Sequence, residues 1–298
     1  MKIGFIGCVE SSLIAINVLL SMKGRGIEVV AVITKNKSTF NADHVDLSEV
    51  CKEQHIPYHF EDSKKKSDSL EFMRAYQPDI IYCFGWSFLL DSEFLKMSPK
   101  GVIGFHPAKL PQNRGRHPII WALVLGLEST ASTFFKMEHG ADTGPILNQV
   151  DISISPEDDA NDLYQNVLTN IKFQIKEFTL QLANNTAEFK VQDHSKATSW
   201  RKRTRKDGLI DWRMRAEDIY NLIRALSKPY PGAEFEFLGD LVPVLRSKVS
   251  DNQFLKNIEP GTILEAGNHR ILVKSGGNTA IWLLDLEMKK LPLLGEYL

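Results

Sequence analysis

Residues 2–34 read KIGFIGCVESSLIAINVLLSMKGRGIEVVAVIT, and their pattern decides the fold. The apolar run over residues 2–7 is too short for a helix and ends in Gly7, as a buried strand entering a turn does. Residues 12–22 space their apolar positions for one helix face, and residues 27–34 return to a strand rich in valine and isoleucine. Outward from this β-α-β opening the alternation continues. A helix is expected near residues 47–54, a short strand after Pro57, a helix over 69–76, and strands over 80–84 and 101–105. Helices between successive strands make the strands parallel neighbours, so the expected fold is α/β, a doubly wound, mostly parallel sheet of Rossmann-like type.

Further along, the acidic stretch at residues 156–159 marks the start of a long amphipathic helix over 160–183. Residues 194–208 contain SWRKRTRKDG, a charged run ending in a turn signal, and read as a surface linker. A helix over 216–226 follows, and then short β-rich runs punctuated by Gly239, Gly261, Gly267, Gly276 and Gly277 suggest a small barrel-like domain. The expected organisation is a catalytic domain over 1–190, a linker over 191–207 and a β-rich domain over 208–298.

A chain of 298 residues with 43% hydrophobic content can bury a full core. Its formal charge of −1 gives no general attraction to nucleic acid. Cys8, Cys51 and Cys83 are odd in number, lie in apolar settings and form no CxxC pair. They read as buried thiols in a reducing compartment, with no disulfide framework and no metal. The opening MKIGFIG lacks the features of a signal peptide, and no apolar run approaches the roughly 20 residues of a membrane span, so the expected location is cytoplasmic. Gly7 stands alone after the first strand, which gives little support to a dinucleotide-binding fingerprint.

The chemistry concentrates in residues 101–149, GVIGFHPAKLPQNRGRHPIIWALVLGLESTASTFFKMEHGADTGPILNQ. A strand delivers His106 just past its carboxyl end, the edge at which open α/β sheets bind their ligands. Pro107 and Pro111 stiffen the loop that follows. Downstream, after a strand over 133–137, the glycine-bounded loop Gly140-Ala141-Asp142-Thr143-Gly144 presents one carboxylate. A histidine after a strand or an aspartate in a turn is, taken singly, an ordinary structural feature. Brought together, the carboxylate can orient the imidazole and stabilise its charged form, while the imidazole takes the proton an attacking amine must lose.

The same stretch resembles the signature of the folate-dependent formyltransferases. In that family an Asn-x-His element is followed by a small residue and a Leu-Pro loop, which here is Gly104-Phe105-His106-Pro107-Ala108-Lys109-Leu110-Pro111. Arg114-Gly115, Pro118, Trp121-Ala122 and Asp142-Thr143-Gly144 follow in the family's order. The resemblance implies an enzyme that carries a formyl group from 10-formyltetrahydrofolate to an amine, with His106 and Asp142 catalytic. It places the family's asparagine on Gly104, which has no side chain, so another group must donate to the oxyanion; Lys109, Gln112 and Asn113 are the candidates within the loop. Cys83-Phe84-Gly85-Trp86-Ser87-Phe88-Leu89-Leu90 resembles the family loop that reads the pterin ring. It implies a folate slot at Phe84, Trp86, Phe88, Leu89 and Leu90, with Met137, Gly140 and Ala141 as the second wall. Lys206-Asp207-Gly208-Leu209-Ile210-Asp211-Trp212 and residues 223–233 resemble the start of the C-terminal domain of two-domain members.

The nature of the amine is read from basic and loop features. A tRNA-modifying member carries a basic loop after its second strand, which would neutralise phosphates. The corresponding residues 36–46, NKSTFNADHVD, hold a single lysine, Lys37. Arg114-Gly115-Arg116-His117-Pro118 and Pro229-Tyr230-Pro231-Gly232 look more like nucleotide-sugar N-formyltransferases, in particular the branch associated with pseudaminic-acid-type amino sugars. The candidate substrate residues are Lys109, Asn113, Arg114, Gly115, Arg201, Arg203 and Trp212, with arginines to clasp a diphosphate and the tryptophan to stack a base. Nucleic acid and membrane are not expected as partners. The apolar end LPLLGEYL could form core or a homodimer interface. Three classes stay open: a sugar N-formyltransferase, a tRNA or other formyltransferase, and a folate-binding homologue without activity.

Overall fold

In the computed structural model, which describes residues 1–38, 42–61, 66–288 and 290–298, the opening folds as β1 (Lys2–Ile6), α1 (Glu10–Leu20) and β2 (Glu28–Thr34). Part of the loop over 36–46, read above for its lack of basic residues, lies outside the described residues. The alternation continues with α2 (Ser48–Glu53), β3 (Tyr58–Phe60), α3 (Lys66–Ala75), β4 (Ile80–Cys83), α4 (Ser92–Met97) and β5 (Val102–His106). Next come β6 (Arg114–Gly115), α5 (Pro118–Val124), β7 (Ser129–Lys136), β8 (Ile146–Ser153), α6 (Ala160–Ala183) and β9 (Ser199–Trp200). The remainder is α7 (Ala216–Ala225) followed by strands β10 (Ala233–Phe237), β11 (Asp240–Val244), β12 (Arg246–Val249), β13 (Ile263–Gly267), β14 (Arg270–Lys274) and β15 (Ala280–Leu284).

Cα proximity divides the chain into two compact units. The first comprises Met1–Gly115, Thr130–Ile152 and Gln165–Trp200; the second comprises Arg116–Ser129, Ser153–Tyr164 and Arg201–Leu298.

The first unit is built on a seven-stranded sheet in the order β3-β2-β1-β4-β5-β7-β8. Strands β1 to β5 pair in parallel, and β7 runs antiparallel to β5 with His106 opposite Thr133. The mostly parallel sheet read from the sequence is therefore present. β1 and β4 are apolar along nearly their whole length because helices cover both faces of a parallel sheet. Helix α6 supplies Phe178, whose ring lies 4.7 Å from Phe134 and 5.7 Å from Tyr82. Each such large side chain, fully buried, contributes roughly 1.5–3 kcal/mol. Buried Gln174 of α6 donates to the Ser132 carbonyl at 2.9 Å and to Asn148 at 2.7 Å, so the helix is pinned to β7 and β8 by polar bonds too. The α6 start agrees with the acidic signal: Asp159 accepts from the backbone N–H groups of Asn161 and Asp162.

In the second unit α5 packs on α7, and Arg224 of α7 donates to the carbonyls of Ser155 and Asp158 at 3.1 and 2.8 Å. The β-rich region forms a β10–β11 hairpin and an antiparallel sheet in the order β12-β15-β14-β13. Trp212, expected on a binding surface, is 8% exposed and packs edge-on against Phe235 at 5.9 Å. This corrects its assignment as a stacking residue, because its ring is enclosed in the core of this unit.

Within the charged segment read as a linker, Ser199–Trp200 form β9, which pairs in parallel with β6 and is part of the first unit, while residues from Arg201 onward belong to the second.

Candidate active site

His106 is the last residue of β5 and Trp86 follows the end of β4, so both stand at the carboxyl edge of neighbouring parallel strands. The loop after His106 is held by hydrogen bonds to its carbonyls. The Thr133 hydroxyl donates to Ala108 at 2.7 Å, and the Gln149 amide donates to Leu110 at 3.0 Å and to Thr133 Oγ1 at 2.9 Å. Gln149 and Thr133 were not singled out in the sequence, where Thr133 reads only as the start of a strand and Gln149 falls in no expected element.

The imidazole of His106 is 5% exposed, and its Nε2 lies 2.8 Å from the Asn113 carbonyl oxygen. A carbonyl can only accept, so Nε2 carries a hydrogen and, in the neutral ring, Nδ1 is the free lone pair. Nδ1 faces Asp142, with Oδ2 at 3.7 Å. That oxygen already accepts the Gly115 N–H at 2.9 Å. The two residues converge as expected, with one difference: the imidazole is oriented by the Asn113 backbone, while Asp142 supplies a nearby negative charge. Asp142 has φ of 56°, a left-handed conformation that aspartate tolerates better than most residues.

Gly104 faces Phe135 across the β5–β7 ladder. A Cβ at position 104 would meet Met137 Cγ at 2.7 Å and Phe135 Cζ at 3.0 Å. The thioether of Met137 thus fills the space a side chain would need. The three loop candidates for the missing donor differ in what holds them. Lys109 is tied to Asp151 at 2.7 Å, Gln112 is exposed, and the Asn113 side chain accepts from Thr198.

For the expected folate slot, Trp86, Leu90 and Met137 pack against one apolar cluster that includes Ile6, Ile33 and Cys83. Phe88 and Leu89 are 49% and 65% exposed, and Gly140 and Ala141 are also exposed. The Lys35 ammonium lies 4.8 Å from the Trp86 ring and 4.1 Å from the Phe88 ring. Phe84 is different: its ring is buried 5.1 Å from Phe134 and 5.7 Å from Phe5, so only its backbone is at the edge.

Arg114, expected to reach outward to a phosphate, is instead 8% exposed and donates to Gln192 Oε1 at 2.7 Å and to His194 Nδ1 at 3.1 Å. Its Nε has no partner among the described residues. Gly115 has φ of 104°, and a Cβ there would lie 2.2 Å from the Trp200 carbonyl oxygen, so β9 can approach only a glycine.

Arg201 and Arg203 belong to the second unit. Arg201 is ion-paired with Asp207, and Arg203 lies 4.7 Å over the Trp121 ring while donating to the Asp207 carbonyl. Burial, then Arg116, Arg203 and Lys202 in turn, hold the His117 imidazole below its usual pKa, against the opposing charge of Asp207. Among the described residues no group of three or more His, Cys, Asp or Glu side chains is placed to hold a metal, and no helix is long and apolar enough to cross a membrane.

The family model for formyl transferase matches residues 1–175, and that for the formyl transferase C-terminal domain matches residues 202–294. The chain belongs to the formyl transferase family. Solved structures share the formyltransferase fold over nearly the whole chain. An N-formyltransferase from Helicobacter canadensis, in complex with folinic acid and dTDP-3-aminofucose, is 19% identical with a TM-score of 0.73, covering 95% of this chain and 99% of that one. The sugar 3N-formyl transferase WlaRD, solved with dTDP and 5-N-formyl-THF, is 16% identical with a TM-score of 0.73, covering 98% and 99%. A methionyl-tRNA formyltransferase from Clostridium thermocellum is 18% identical with a TM-score of 0.57, covering 83% and 93%.

Proposed function

We propose that this formyltransferase moves the formyl group of 10-formyltetrahydrofolate to the amino group of a nucleotide-linked amino sugar. The observation that carries the reading is the buried His106, with Nε2 committed to the Asn113 carbonyl and Nδ1 toward Asp142. The apolar group of Trp86, Leu90 and Met137, with exposed Phe88 and Leu89 beside it, suits a flat heterocycle. Bound there, the folate supplies an activated formyl carbon. His106 Nδ1 takes the proton of the attacking amine and returns it to the departing folate nitrogen, so protons balance over the cycle. Asp142 stabilises the imidazolium in between, as the third group does in other acyl-transfer sites.

The nucleotide-sugar part of the reading is supported by the sugar N-formyltransferases, whose full length this chain matches. The basic residues Arg116 and Lys202 near His117, beside the carboxylate of Asp207, suit a phosphorylated substrate. The finer form of the proposal is a pseudaminic-acid-type amino sugar, resting on Arg114-Gly115-Arg116-His117-Pro118 and Pro229-Tyr230-Pro231-Gly232. We place the reaction in the cytoplasm, in keeping with three buried free thiols.

The test is release of tetrahydrofolate from 10-formyltetrahydrofolate when the protein is offered a panel of dTDP- and UDP-linked amino sugars, with initiator methionyl-tRNA as control. Turnover with a sugar supports the proposal. Turnover with the tRNA alone, or with no amine at all, overturns it.

A further inference from the structure

The stretch from Gln192 to Trp200 touches both halves of the His106–Asp142 pair. At one end the buried Gln192 amide donates to the Asp142 carbonyl at 2.9 Å and to the Gly144 carbonyl at 2.6 Å, while its Oε1 receives Arg114. At the other end the Thr198 hydroxyl accepts the Asn113 N–H at 2.8 Å and the Thr198 carbonyl accepts the Arg114 N–H at 3.0 Å. Asn113 is the residue whose carbonyl holds His106 Nε2, and it sits at φ of 63°. One backbone segment thus fixes the carbonyl that orients the imidazole and the loop that carries the carboxylate.

We infer that Gln192 is a positioning residue for the proposed transfer: its two N–H donors hold the Asp142 loop at the distance from His106 that the reaction uses. The inference rests on the formyl-transfer reading. A left-handed Asp142 in a loop whose glycines impose little restraint has no helix or strand of its own to hold it. Gln192 satisfies two of that loop's carbonyls from inside, and Arg114 fixes which way the amide points, because the guanidinium can only donate and so must face Oε1. The side chain is buried, so water cannot substitute when it is changed. Displacement of a catalytic group by about 1 Å can cost on the order of a hundredfold in rate.

The experiment compares the wild type with Gln192→Glu, Gln192→Leu and Asp142→Asn, and with Gln192→Glu combined with Asp142→Asn. Glutamate keeps the Arg114 contact as an ion pair and removes both donors to the loop, so it isolates the arm that matters. The expected result is a kcat at least tenfold lower for Gln192→Glu, with KM for the folate within threefold and the melting temperature within a few degrees. In the Asp142→Asn background the same change should lower kcat less than threefold, because a residue acting through Asp142 has nothing left to act on. A Gln192→Glu kcat within twofold of wild type overturns the inference, as does a loss that is undiminished in the Asp142→Asn background. If Gln192→Leu does not fold, the glutamate arm still decides. A wild type that transfers formyl to no amine overturns the formyl-transfer reading and this inference together, whereas an active wild type matched by Gln192→Glu overturns this inference alone.

Discussion

His106 and Asn113 are joined by a single hydrogen bond, Nε2–H to the main-chain carbonyl at 2.8 Å, and that bond selects the tautomer. It leaves Nδ1 as the basic atom and points it at Asp142 Oδ2, 3.7 Å away. The spacing exceeds a hydrogen bond, so in this state the carboxylate acts through its charge.

The first prediction follows from that tautomer. His106→Gln keeps an N–H for the Asn113 carbonyl and loses the proposed base, whereas His106→Ala loses both. Both variants should reduce kcat by about 10²–10⁴, the usual contribution of a positioned acid–base group, with little change in folate affinity. Measurement is by turnover and by folate titration. Activity of either variant near wild type would remove His106 from the chemistry.

The second prediction concerns Gly104. Its missing side chain is matched by Met137, whose Cγ would lie 2.7 Å from a Cβ at that position. Gly104→Asn alone should therefore destabilise the fold by about 1–3 kcal/mol, the usual consequence of overpacking. Combined with Met137→Ala, it should regain much of that loss and, on the proposed transfer, supply the donor that Gly104 lacks, raising kcat over Met137→Ala alone. Thermal unfolding and turnover of the three variants check both parts. A Gly104→Asn protein as stable as wild type would show that Met137 moves aside freely.

The third prediction tests the Asp142 loop. A Cβ at Gly144 would lie 1.7 Å from the Lys136 carbonyl oxygen, a backbone atom that cannot swing away. Gly144→Ala should move the loop and with it the Gln192 contact to the Gly144 carbonyl. A loss of at least about 2 kcal/mol is expected, or roughly 4–8 °C in melting temperature, together with a steep drop in kcat. An unchanged melting temperature would count against the close approach.

What could be read from the sequence follows how local each signal is. The alternation of β1, α1 and β2 and the span of α6 depend on apolar periodicity and an acidic start, and both are present close to their expected bounds. Strand β8 was missed because Asn148, Gln149 and Asp151 break its apolar pattern, and two of these turn out to serve inside the fold. Helix α5 was missed because its PIIWALV run is only seven residues and follows His117 in a left-handed conformation. The meeting of His106 and Asp142 was legible from their strand-end and glycine-bounded settings. Gln192 was not, since a lone glutamine in a polar stretch has no local signature and gains its role only when Arg114 and Asp142 fold beside it. Arg114 and Trp212 were misread for the same reason: their types suggest surface recognition, whereas burial commits them inward.

The last prediction is a pH dependence set by Asp207. Hydrogen bonds from Arg201 and from the Thr204 backbone hold its carboxyl well below the usual carboxylate range. A carboxyl whose folded pKa is depressed adds stability that is fully present above the unfolded value, about 3.9, and is lost as pH falls through the folded value. Asp207 also anchors the Arg201–Gly208 turn by accepting from the Thr204 N–H at 2.6 Å and hydroxyl at 3.0 Å, a geometry asparagine can only partly reproduce. Asp207→Asn should therefore melt below wild type at pH 7, and the gap should narrow as the pH is lowered beneath about 4. Melting temperatures of both proteins from pH 7 down to pH 3 measure it. A gap that stays constant over that range would mean the aspartate holds the turn by shape and not by charge.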